Sequence, residues 1–152
     1  FFMTSIPEFI TAKHRECDEF FIAAENAITE DNWPLANQSF QQFSEELALH
    51  FQAEENILFP EFEQATGITQ GPTQVMRGEH QQMRALVADL LQALSVEDKD
   101  AYIGASETLM VLMQQHNMKE EMMLYPMTQQ RVPAPDALLT QVIEHCQIAE
   151  NS

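Results

Sequence analysis

The sequence predicts an all-α protein, an up-down-up-down antiparallel four-helix bundle followed by a short C-terminal helix. Three observations carry that reading. Glycine is scarce, four residues in 152, and the seven prolines sit mostly near predicted helix ends, a composition that suits long helices better than a many-turned sheet. Apolar residues recur at alternating steps of three and four, the period of a helix face buried in a bundle. The segment His50-Phe-Gln-Ala-Glu54-Glu-Asn-Ile-Leu-Phe-Pro60 returns 66 residues later as His116-Asn-Met-Lys-Glu120-Glu-Met-Met-Leu-Tyr-Pro126, so the chain contains an internal duplication.

Ser5-Ile-Pro-Glu8 is a capping-box start, and the first helix follows with Ile10, His14, Cys17, Phe21, Ala24 and Ile28 on one face. Asp31-Asn-Trp-Pro34 breaks it. The second helix has the stripe Ala36, Phe40, Phe43, Leu47, His50, Glu54 and Ile57, and ends near Ala65-Thr-Gly67, where glycine takes the left-handed C-terminal conformation. After Gly71-Pro72 the third helix carries Met76, His80, Met83, Val87, Leu90 and Leu94. Ser95-Val-Glu-Asp98 is a turn and a fresh cap. The fourth helix then runs through Tyr102, Ser106, Leu109, Met113, His116, Glu120, Met123 and Met127 until Pro133 and Pro135 end it. A tail helix over roughly 136 to 148 packs across the bundle. Residues 1–131 thus form the duplicated bundle, and residues 132–152 a tail on the same domain. Most of the methionines read as flexible core filler.

A net charge of -17, with seven Lys and Arg scattered among 24 acids, speaks against a nucleic-acid partner and against anionic membranes. No stretch approaches a membrane-spanning length, and Phe1-Phe-Met3 is too short for the apolar region of a signal peptide. Cys17 and Cys146 have no metal-type spacing and read as free thiols, which points to a cytoplasmic setting.

The duplication maps His14 onto His80 as well as His50 onto His116. In an antiparallel bundle, residues equidistant from a turn lie at one height. The midpoints of successive histidines fall at residues 32, 65 and 98, in or at the three predicted turns, so all four imidazoles are expected at one level, facing inward. Glu54 and Glu120 lie one helical turn beyond His50 and His116, on the same face. An unpaired buried carboxylate costs several kcal/mol, and no lysine or arginine occupies the stripes. Metal cations would offset that cost. The expected site holds two metals, His14 with His50 on one and His80 with His116 on the other, bridged by Glu54 and Glu120. Nitrogen with carboxylate oxygen suits iron or manganese, with zinc possible.

A single H-x-x-x-E on a helix is more often a solvated pair, and it is the whole constellation that points to metal. Glu55 and Glu121 are either solvated or assisting acids, with Glu121 an alternative ligand. Asp18 and Arg84, one turn beyond His14 and His80, are candidates for an outer carboxylate and an ion pair beside the site. His145 has no histidine mate in the repeat and reads as structural or exposed. Met76, one turn before His80, is a candidate pocket-lining residue.

Over about residues 8 to 130 the pattern H…HxxxE…H…HxxxE, each glutamate followed by a second acid and an aromatic-proline pair, resembles the hemerythrin-like or HHE cation-binding domains. The resemblance implies a non-heme di-iron centre, with His14, His50, Glu54, His80 and His116 at family ligand positions and Glu120 supplied by the repeat. It implies a small ligand, oxygen, nitric oxide or peroxide, bound or sensed. It also implies two other roles: an enzyme, including repair of iron-sulfur clusters under oxidative or nitrosative stress, and an iron-responsive protein-interaction module. Oxygen carriers of the family have a further histidine where this chain has Met76, and place the last carboxylate where it has Glu121. Those departures point away from reversible carriage and toward sensing or reactivity.

Overall fold

The computed structural model describes residues 4–150, with side chains through Gln147; Phe1, Phe2 and Met3 lie outside the described residues. The described residues form helices and no strands: α1 (Ile6–Thr29), α2 (Trp33–Ala53), α3 (Phe59–Thr66), α4 (Pro72–Ser95), α5 (Lys99–Lys119), α6 (Tyr125–Arg131) and α7 (Pro135–Glu150). Two π-helical segments, Glu54–Leu58 and Glu120–Leu124, join α2 to α3 and α5 to α6 without a break in the rod.

The helix ends follow from local chemistry. Ser5 Oγ caps α1 by accepting from the Glu8 backbone N–H at 3.3 Å and donates to the Glu8 carboxylate at 2.9 Å. Asn32 and Asp98 cap α2 and α5 by accepting from Leu35 and Ala101 N–H groups. Gly67, at φ +72°, ends α3 in the left-handed region.

Packing closes a ring: α1 lies along α2 and α4 along α5, while α1 also meets α5 and α2 meets α4. One apolar cluster, with Phe21, Phe43, Leu90, Tyr102 and Leu109, lies toward the α1–α2 and α4–α5 links. A second, with Ile6, Ile10, Phe59, Met76 and Tyr125, fills the other end, and Leu138, Leu139 and Val142 of α7 complete it. The histidine layer falls between them. No described helix is long and apolar enough to cross a membrane.

The π segments correct the sequence reading. In each, a backbone N–H reaches back five residues, from Phe59 to the Glu54 carbonyl and from Tyr125 to the Glu120 carbonyl. The extra residue rotates the remainder of the rod, so Leu58, Phe59, Leu124 and Thr128 face inward. Ile57 is only partly buried, and Met123 and Met127 are exposed, as are Met118 and Met122. Methionine as core filler therefore holds for Met76, Met83 and Met113, not for that group. Pro60 and Pro126 lie just beyond each segment and have no N–H to continue the ladder. One carbonyl of the first segment, that of Glu55, instead accepts from Arg77 Nη1 at 3.3 Å.

Candidate metal centre

The four imidazoles form two pairs of nearly equal geometry, with ring centroids 4.9 Å apart for His14 and His50 and 5.0 Å apart for His80 and His116. Each glutamate reaches from one pair to the other. Glu54 Oε1 lies 3.3 Å from His50 Nε2 and 3.2 Å from His80 Nε2. Glu120 places Oε1 3.0 Å from His14 Nε2 and Oε2 3.1 Å from His116 Nε2. Both carboxylates are fully buried. All six residues singled out in the sequence are thus brought together, in two overlapping ligand sets: Glu54, His80, His116 and Glu120, and His14, His50 and Glu120.

Whether these residues suit a metal is decided by their unused atoms. His50 Nε2, Glu54 Oε1, His80 Nε2, His116 Nε2 and Glu120 Oε2 are buried without a hydrogen-bond partner among the described residues, although they converge on one another. Buried polar groups normally have partners. Converging imidazole nitrogens and carboxylate oxygens left without donors are a fit for cations.

A model of the hemerythrin HHE cation-binding domain matches residues 5–128. The chain belongs to that family. Comparison with curated proteins and with solved structures finds no match. As a hemerythrin HHE domain, the chain has a cation-binding fold, and its buried histidine and glutamate cluster is where a cation fits.

Around the centre lies a shell the sequence showed only in part. His14 Nδ1 is 2.7 Å from Glu121, His80 Nδ1 is 2.7 Å from Glu55, and His116 Nδ1 is 2.9 Å from Glu79. An Nδ1–H donated to a carboxylate leaves the Nε2 lone pair free for a metal. Glu55 and Glu121 therefore belong to the site by orienting histidines, and Glu121 is not in either ligand set. The outer carboxylate on His14 is Glu121, not Asp18, because the π segment turns Glu121 toward α1. Arg84 pairs with Glu55 through two bonds of 3.0 and 2.9 Å. Glu79 pairs with Lys119, and the Tyr125 hydroxyl donates to Glu54 Oε2. Glu79, Lys119 and Tyr125 were missed by the sequence reading; the one available signal was the aromatic of the repeated L-[FY]-P, where only the second copy carries a hydroxyl. His145 is partly exposed on α7, outside both sets.

The electrostatics of the metal-free cluster follow the same partners. Burial alone would lower the His116 imidazole, but the charges of Glu120 and Glu54 and the hydrogen bond to Glu79 raise it to about 9. His14 is raised too, Glu120 and Glu121 outweighing burial. His50 goes the other way, brought to about 3 by burial and by the surrounding histidines, against the pull of Glu54. Burial would raise Glu120, yet the His116 charge and the hydrogen bond with His14 hold it well below the usual carboxylate range. Among the described residues, no carboxylate plays for His50 the orienting part that Glu121, Glu55 and Glu79 play for the other three.

A small cavity adjoins the His14 and His50 rings, walled by Leu47, Phe51, Met83 and Met113 and also lined by Lys13, Cys17, Asp18 and Asn117, with room for about one water-sized molecule. Met76, expected to line a pocket, is instead buried in the second apolar cluster.

Proposed function

We propose that this up-down-up-down bundle holds two iron ions, carboxylate-bridged, and binds or senses a small ligand, oxygen, nitric oxide or peroxide, in the core. His14, His50 and Glu120 would hold one ion and His80, His116, Glu54 and Glu120 the other. The observation that carries the reading is the cavity beside the set with three candidate ligands rather than four. An ion held by three protein groups keeps positions for an exogenous ligand, and the cavity gives that ligand a place. Iron so bound supplies redox chemistry toward oxygen, nitric oxide or peroxide. The chain's own residues do the rest: Leu47, Phe51, Met83 and Met113 exclude water, while Glu121, Glu55 and Glu79 hold the Nδ1 protons of three ligand histidines.

Exposure of the anaerobic ferrous protein to oxygen, and separately to nitric oxide, while the visible spectrum is recorded tests this directly. A new absorption band with at least one of them is expected, weakened in a Met113→Phe variant whose ring narrows the cavity. Identical spectra before and after both gases would rule out ligand binding at the site. Consumption of peroxide or nitric oxide over many turnovers, absent in Glu54→Ala, would move the reading to an enzyme.

A further inference from the structure

The duplication that builds the centre also supplies an internal control, because each residue around one half has an image 66 positions away in the other. The ligands are duplicated faithfully. Their supports are not.

Around the four-residue set, His80, His116 and Glu54 are each braced. His80 lies between two phenylalanines, stacked on Phe51 at 3.8 Å and facing Phe59 at 5.6 Å. Its Nδ1 carboxylate, Glu55, is locked by Arg84. His116 has Glu79 on Nδ1, itself held by Lys119. Glu54 is fixed by the Tyr125 hydroxyl.

The images of these braces are different in kind. Glu79 maps onto Lys13, which pairs with Glu16 at 3.4 Å and cannot accept from a histidine N–H as Glu79 does. Arg84 maps onto Asp18, so no arginine stands where the duplication would place one to lock Glu121 as Arg84 locks Glu55. Phe51 maps onto Asn117, which lines the cavity next to His14. Tyr125 maps onto Phe59, which has no hydroxyl to offer Glu120.

We infer that the two metal positions fill in order: the His80, His116, Glu54 and Glu120 position binds first and tightly, and the His14, His50 and Glu120 position binds second and exchanges. This rests on the two-metal reading above. Carboxylates that orient ligand histidines change metal affinity by about 10- to 100-fold when lost. The second position lacks one on His50, has an unbraced one on His14, and belongs to the smaller of the two candidate sets. The first ion is therefore expected to bind at least about tenfold more tightly than the second. A protein built this way has a stable one-metal state, and its ligand-binding half responds to the supply of free cation.

Anaerobic calorimetric titration with Co²⁺, a divalent probe whose visible bands report coordination number, reads the order. Wild type is expected to show two resolved phases of one equivalent each. His14→Ala should keep the tight phase and lose the weak one, and Lys13→Glu should strengthen the weak phase about tenfold. Glu79→Gln, nearly isosteric, should weaken the tight phase while leaving helicity unchanged by circular dichroism. A single phase of two equivalents, or loss of the tight phase in His14→Ala, overturns the order while leaving two-metal binding intact. No bound cobalt at all would instead remove the underlying reading.

Discussion

Replacing Glu120 with glutamine should strip the chain of both of the metal ions proposed for it. Glu120 is the one residue in both ligand sets, and its two oxygens face histidines from opposite halves, His14 at 3.0 Å and His116 at 3.1 Å. Glutamine keeps the shape, but it loses the charge and turns one ligand atom into a donor. Losing a supporting carboxylate costs about 10- to 100-fold in affinity, so loss of the bridging ligand should exceed about a hundredfold. The measurement is the metal-to-chain ratio after loading and desalting, with helicity checked by circular dichroism. Glu54→Gln should strike the four-residue set first. Retention of two ions by Glu120→Gln would refute the shared carboxylate.

Metal removal should give the second large effect, on stability. Without cations the core holds two buried carboxylates and five nitrogen or oxygen atoms with no hydrogen-bond partner among the described residues. Binding to the native state alone stabilises it by about 4 kcal/mol at a free metal concentration 1,000 times Kd. For a chain of this size that corresponds to about 8–16 °C in Tm. The gap should also depend on pH. In the metal-free fold His116 is raised from 6.5 to about 9, so its proton stabilises the native state. That contribution is fully present below 6.5 and is lost as pH rises through about 9. His14, raised in the same direction, adds to the loss, while His50, lowered to about 3, stays neutral throughout. A metal on Nε2 takes the place of that proton, so the loaded protein should not show the decline. Scanning calorimetry at about pH 6.5 and about pH 9, with and without metal, should find the gap wider at the higher pH. A gap that narrows would contradict the assignment of His116 as a ligand.

Much of the site was legible because the residues that carry it obey a repeat. Four histidines and two glutamates at matched spacing constrain height and face together, and the structure places His14, His50, His80 and His116 in two pairs of almost the same separation. The remainder was hidden for two physical reasons. The π segments add one residue to a turn without altering residue identity, so a stripe counted at about 3.6 residues per turn runs to Met123 and Met127 when the inward positions are Leu124 and Thr128. The repeated proline after each segment is the trace such a shift leaves. The supporting shell is built across helices, Glu55 to His80 and Glu79 to His116, and contacts between helices have no period within either one. Met76 shows the limit of reading by resemblance: the nitrogen lost there would have joined the four-residue set, while the cavity opens beside the three-residue one.

The most direct test of the two-metal core is the iron content of the anaerobically reconstituted ferrous protein, counted per chain after removal of loosely held ions at saturating then limiting iron. Two irons at saturation, and none in His80→Ala combined with His14→Ala, is the expected result. A wild-type chain that retains no iron, or a double variant that retains two, would contradict it.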